Sequence, residues 1–337
     1  MNLYRAELLR LGKRRFVRYL VLAALLVLVA VVAGAFLSNE KVGAGAVAQA
    51  ERTAEREFNS VVEETERWQA ECERSHASGE PDLNRFPPNC ADIVPPTRDM
   101  FPAEYHLPPT FVFRDEFPAT LYTFTSLLVL VFFVAGASFV GAEWTSGAMM
   151  NLLLWRPQRL RVLFTKLAAL LTGVLAVSVP AMVLWTVAYW STALLRGSTE
   201  GVTADVWRSF ALTELRSVAL VVAAAAAGFG LASIGRHTAL ALGSVLGVLV
   251  VGQSGLAAIA GALEVRYIEL WLLPTYWIAW MDSSVEVTNW RACNEQPADC
   301  VPPTFELTWV HTGGLLVVAL ALVLGVAAWL MRRRDIS

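Results

Sequence analysis

Residues 121–166 read LYTFTSLLVLVFFVAGASFVGAEWTSGAMMNLLLWRPQRLRVLFTK. The stretch Leu121–Gly141 carries no charge. A helix rises 1.5 Å per residue, so about 20 apolar residues cross a hydrocarbon layer of about 30 Å. A lone acid follows, Glu143, then the small residues Thr145-Ser146-Gly147, the turn signal Trp155-Arg156-Pro157, and the basic residues Arg159, Arg161 and Lys166. Apolar sequence resumes at Leu163. The stretch therefore reads as a span, a polar elbow and a return span.

Working outward, further apolar segments run near Tyr19–Leu37, Leu163–Trp190, Val218–Ile234, Thr238–Ala260 and Trp309–Met331. Apolar residues make up 56% and charged residues 17%, and mean hydropathy is +0.51. Because the apolar residues come in blocks, the expected fold is an all-α integral membrane protein with six transmembrane helices. The run after the N-terminal arginines exceeds the roughly 7–15 residues of a cleavable signal core, so it reads as an uncleaved span.

Basic residues orient the spans. Arg5, Arg10, Lys13, Arg14, Arg15 and Arg18 precede the first; Arg156, Arg159, Arg161 and Lys166 lie between the second and third. Arg236 lies between the fourth and fifth, and Arg332, Arg333 and Arg334 follow the sixth. All fall on one face, which reads as the cytoplasm, with both termini inside. Residues 38–119 and 261–307 are then extracytoplasmic. The expected organisation is an N-terminal helix and first span (1–37), an outer domain (38–119), spans two to five with the elbow at 142–162 (120–260), an outer region (261–307), and the last span with its basic tail (308–337). The basic residues hug the membrane, so nucleic acid is not an expected partner. Scarce lysine (Lys13, Lys41, Lys166) beside abundant Arg and Ala points to a high-GC bacterial genome.

All four cysteines, Cys72, Cys90, Cys293 and Cys300, fall in the outer regions. They allow three connectivities, of which local pairing, Cys72–Cys90 and Cys293–Cys300, is simplest. A metal site lacks a CxxC and lacks histidine at ligand spacing. Val47, Ala50, Ala54, Phe58, Val61, Thr65, Trp68 and Cys72 mark one face of an outer helix that could extend the first span. A Pro-rich stretch follows. In 261–307, Pro274 interrupts an apolar run (270–280) too short to cross, which reads as a re-entrant or interfacial helix. Ala239, Gly243 and Gly247 form a small-residue face for helix packing.

No nucleotide-binding P-loop is present: Glu7 stands where the first glycine before Gly12-Lys13 would be. There is no HExxH, no GxSxG, and no pair of carboxylates inside a span. The chain offers no catalytic, cofactor or metal site of its own.

The elbow reads Glu143, Thr145-Ser146, Gly147, Leu152-Leu153-Leu154, Pro157, Arg159 and Lys166. In this it resembles the permease subunits of type-two ATP-binding-cassette exporters. Tyr4, Leu8 and Leu11 on one face before the first span, the six-span order, the broken outer segment and the terminal Arg-Arg-Arg-Asp match as well. The long acidic loop with its cysteines departs from the shortest family members. The resemblance implies a permease, not an enzyme, whose partners are a cytoplasmic ATPase subunit holding ATP and Mg²⁺, a second copy or sister permease, and the bilayer. It implies coupling through Glu143, Trp144, Gly147, Trp155, Arg156, Pro157, Arg159 and Lys166, and export. The resemblance does not carry over a substrate class, so lipids, lipophilic drugs, peptides and glycan precursors stay open, with a lipophilic or peptide-like cargo and a bacterial inner membrane as the expectation. Helix capping and snorkelling at the interface would also account for Glu143, Gly147 and Arg159. Trp144, Ala148, Leu152 and Trp155 are expected on one face of a short interfacial helix. The alternative function is a sensing, adaptor or antimicrobial-resistance protein acting through the outer domain.

Overall fold

The computed structural model describes residues 3–78, 84–155, 158–263, 265–293 and 301–333. Among these residues, six helices are long and apolar enough to cross a membrane. They are α2 (Arg15–Ser38), α4 (Phe113–Thr145), α6 (Arg159–Arg196), α7 (Ala204–Gly235), the α8–α9 segment (Thr238–Ala262) and α11 (Trp309–Arg333). Each contains one of the apolar blocks read from the sequence. The other α-helices among the described residues are α1 (Leu3–Lys13), α3 (Ala44–Ala77), α5 (Ala148–Trp155) and α10 (Leu273–Met281). The chain divides into two compact units, residues 1–32, 114–189 and 201–337 in one, and 33–113 with 190–200 in the other.

In the first unit, α4 is the core: 67% of its most apolar window is buried, against 11% for α2 and α11 and 6% for the fifth span. Helices α4 and α7 approach backbone to backbone. A Cβ on Gly136 would strike the Ala225 carbonyl, and one on Gly228 the Phe133 carbonyl, so both positions require glycine. Further along, Phe117, Phe124, Trp185, Tyr189 and Phe210 form an aromatic cluster joining α4, α6 and α7. The fifth span is not one regular helix: α8 (Thr238–Leu246) passes through a π-helical turn at Gly247–Gly252 into α9 (Gln253–Ala262). Among the described residues nothing lies within 4 Å of a Cβ built on Gly243 or Gly247, so these two positions of its small-residue face meet no neighbour there.

The apolar run 270–280 is broken where the sequence places Pro274: a tight turn ends at Trp271, Leu272 is extended, and Pro274 sits in the first turn of α10, which has no use for the missing N–H. Helix α10 packs on α7, where Trp280 Nε1 donates to the Arg216 carbonyl at 2.9 Å. An antiparallel pair, β3 (Ser284–Thr288) with β4 (Thr304–Thr308), then leads into α11.

The second unit is built on α3. Its apolar stripe buries Ala50, Ala54 and Cys72. The chain breaks at residues 39–43, so α3 is a separate helix and not an extension of α2. Cys72 and Cys90 form a disulfide with a Cα–Cα distance of 5.9 Å, around which Phe86 and Ile93 are buried. Cys293 is also disulfide-bonded; the pairing expected for it involves Cys300, which lies outside the described residues. Phe101 stacks edge-on against Phe58, and His106 Nε2 lies 3.0 Å from the Glu57 carboxylate. The parallel pair β1 (Phe111–Val112) and β2 (Gly197–Ser198) closes the unit.

Candidate functional site

The elbow is made by one backbone feature. Helix α4 ends at Thr145, and Gly147 takes φ of 72°, the left-handed conformation that stops a helix at little steric cost in glycine. Helix α5 begins at once, with Asn151 N donating to the Gly147 carbonyl. This break corrects the expected continuous face: Trp144 belongs to α4, while Trp155 ends α5. The face that α5 buries is Met149 and Leu153; Leu154 and Trp155 stand 74% and 87% exposed.

Beside the elbow lies α1, and four ionic side chains tie the two together. Lys166, at the start of α6 and fully buried, places Nζ 2.7 Å from Glu7 Oε2 and 2.6 Å from Glu143 Oε2. Arg14 Nη2 lies 2.7 Å from Glu143 Oε1, and Arg14 Nη1 donates to the Ser138 carbonyl at 2.9 Å. Arg10 completes the outer end, 3.2 Å from Glu7 Oε1. The sequence runs Glu7–Lys166–Glu143–Arg14, alternating in sign, so each buried charge has a partner of opposite sign, as burial demands. Phe139 forms the floor, with the Arg14 guanidinium 4.9 Å and the Lys166 ammonium 5.5 Å from its ring centre. Two further contacts hold α1 on α6. Tyr4 Oη bonds Thr172 Oγ1 at 2.8 Å, and Leu11 fills the notch at Gly173, where a Cβ would come within 2.5 Å of it.

The sequence-selected residues thus divide. Glu143 and Lys166 lie inside the ion relay. Gly147 makes the bend, and Trp155 is displayed at its tip. Trp144 lies under the Arg236 guanidinium, 4.7 Å from its ring centre, and Arg159 lines a small cavity with both. Arg156 and Pro157 lie outside the described residues. Between α1 and α5 runs an open groove of about 990 Å³, with Leu9, Arg10, Lys13, Asn151, Leu152 and Trp155 among its walls. Sequence reading missed Glu7, Arg10 and Arg14 as partners. The available signal was Glu7 itself, an acid set within the apolar face of Tyr4, Leu8 and Leu11.

In the second unit, the ligand atoms of Cys72, His76 and Cys90 lie within 4.8 Å of one another. His76 stands one helical turn after Cys72, a relation the sequence reading overlooked. With both sulfurs joined in the disulfide, one imidazole remains, too few donors for a metal.

Six apolar spans, with the short helices α1 and α5 at their ends, define a multi-pass membrane protein. The family model for ABC-2 family transporter proteins matches residues 1–336, and the chain belongs to that family. It is therefore a membrane component of the transporter and not itself the catalytic part. No curated protein and no solved structure matches the chain.

Proposed function

We propose that this chain is the permease of an ATP-driven exporter, and that α1 and α5 together form the seat for a separate ATPase subunit, which holds ATP and Mg²⁺. The observation that carries this reading is the buried relay Glu7–Lys166–Glu143–Arg14, which joins α1 to the ends of two spans, one of them leading directly into α5. A force on α1 reaches α4 and α6 through paired charges that cannot separate without exposing a buried ion, and a force on α5 reaches α4 through the backbone at Gly147. Trp155 and Leu154 supply the apolar anchor, and Arg10 and Lys13 a basic rim, a combination suited to a partner groove lined by apolar and acidic residues.

In this reading the basic end of the spans faces the cytoplasm, as its arginines favour, in a bacterial inner membrane. The unpartnered face at Gly243 and Gly247 meets a second copy or a sister permease. The scarcity of ionisable side chains within the spans favours a lipophilic or peptide-like cargo. The disulfide-closed second unit supports one other reading, a sensing domain; deleting residues 45–110 would then abolish function while leaving ATPase assembly intact.

The decisive experiment reconstitutes the purified permease with its ATPase. Trp155→Ala should weaken ATPase binding at least about tenfold, as loss of an interface aromatic anchor does. Glu143→Gln should leave binding near wild type while lowering transport per ATP hydrolysed. Wild-type behaviour in both variants would remove the coupling assignment.

A further inference from the structure

Behind the relay, α1, α2, α4 and α6 line a half-open cavity of about 420 Å³. Leu8 and Leu11 of α1 form its roof, Val21 and Leu22 one wall, and Phe132 and Val177 the other. An apolar cavity of about 150 Å³ is enough to take up benzene; this larger, open-sided trough has room for a hydrocarbon chain. Among the described residues that line it, one is ionisable, Arg18. Among the described residues no carboxylate pairs with Arg18, while Arg14, four residues earlier, is committed to Glu143. The site therefore combines an apolar trough with a single cation at the level where a helix enters the membrane. Hydrocarbon and anion must belong to one amphiphile, because each element alone would leave the other unmatched.

We propose that this cavity binds an anionic phospholipid, one acyl chain lying in the trough and the phosphate accepting hydrogen bonds from the Arg18 guanidinium. The roof of the cavity is the helix that carries Glu7. An occupied trough supports α1 from below and holds Glu7 against Lys166; an empty one leaves that helix to sag. This consequence rests on the proposed coupling role of α1, whereas lipid binding itself does not.

The test uses the full-length permease alone, without ATPase or nucleotide, so it stands apart from the coupling experiment. Protein in mixed micelles is titrated with phosphatidylglycerol or phosphatidylcholine, and retained lipid is read by native mass spectrometry. Wild type should hold one phosphatidylglycerol in preference to phosphatidylcholine. Arg18→Gln should weaken phosphatidylglycerol about fivefold, the share of one cation near the surface, and erase the preference. Val177→Phe, which fills the trough with apolar volume, should expel both lipids. Arg333→Gln, an exposed cation next to Trp329 and away from the cavity, should change nothing. Unchanged binding in both Arg18→Gln and Val177→Phe would overturn the proposal. So would equal weakening by Arg333→Gln, which would mean diffuse surface attraction, or displacement of the lipid by millimolar inorganic phosphate, which would mean a site for a free anion.

Discussion

Replacing Lys166 by Met removes one charge from the relay with little change in side-chain length. Lys166 is fully buried and serves Glu7 at 2.7 Å and Glu143 at 2.6 Å. Breaking a buried ion pair by removing one partner costs about 3–5 kcal/mol, because the other charge stays buried and uncompensated. The two acids differ in what they keep. Glu143 retains Arg14 at 2.7 Å; Glu7 retains only Arg10 at 3.2 Å, whose side chain is 56% exposed. An exposed partner of that kind contributes about 1 kcal/mol at most, so Glu7 is the stranded charge. The companion change Glu7→Gln should then relieve the defect: the Glu7→Gln/Lys166→Met double variant should recover about 2 kcal/mol of the loss, near the upper end of couplings between contacting residues. Reversible unfolding in mixed micelles, followed by circular dichroism, measures all four corners of the cycle. A Lys166→Met variant within about 1 kcal/mol of wild type, or a double variant whose loss equals the sum of the singles within about 0.5 kcal/mol, would refute the relay as a structural unit.

Two further outcomes follow from features elsewhere. Gly147→Ala places a Cβ at φ of 72° in open space, so its whole effect is backbone strain of about 1–2 kcal/mol; the elbow should re-aim, lowering ATPase affinity in a pull-down while the thermal midpoint of the spans shifts by only a few degrees. Cys72→Ser/Cys90→Ser opens a link across 18 residues and should cost the second unit about 3 kcal/mol; limited proteolysis should then cut within residues 84–110 while the spans stay intact, and an unchanged digest would show that Phe86 and Ile93 hold that core without the disulfide.

The spans were legible because a bilayer imposes a length and a composition on each of them, and no tertiary partner is needed to see it. Cys72–Cys90 was legible for a similar reason, two thiols in one short segment. What escaped depended on residues far apart in the chain. Glu7 and Lys166 are separated by 159 positions, and no periodicity relates them; an acid within the apolar stripe of α1 was a sign of burial but not of its partner. One local surprise came from a single residue whose backbone overrides pattern. Gly147 bends the chain where the spacing of Trp144, Ala148, Leu152 and Trp155 suggests continuity, whereas Pro274 marks the break in its apolar run by starting a new helix. The β3–β4 pair was masked because the apolar run before it dominates that region. The π-helical turn at Gly247–Gly252 leaves no mark that composition alone could reveal.

The shared cation of the relay has a thermodynamic corollary. Lys166 holds α1 and α4 with the same atom, so any rearrangement that changes its distance to one carboxylate changes its pull on the other. Linkage between two binding equilibria is reciprocal. If engagement of an ATPase on the surface helices biases the arrangement of α4 and α6, then a cargo that prefers one arrangement of those helices must alter ATPase affinity by the same factor. Cargo sensing would then require no receptor of its own, because occupancy between the spans would already be written in the strength of the grip on the other side of Lys166.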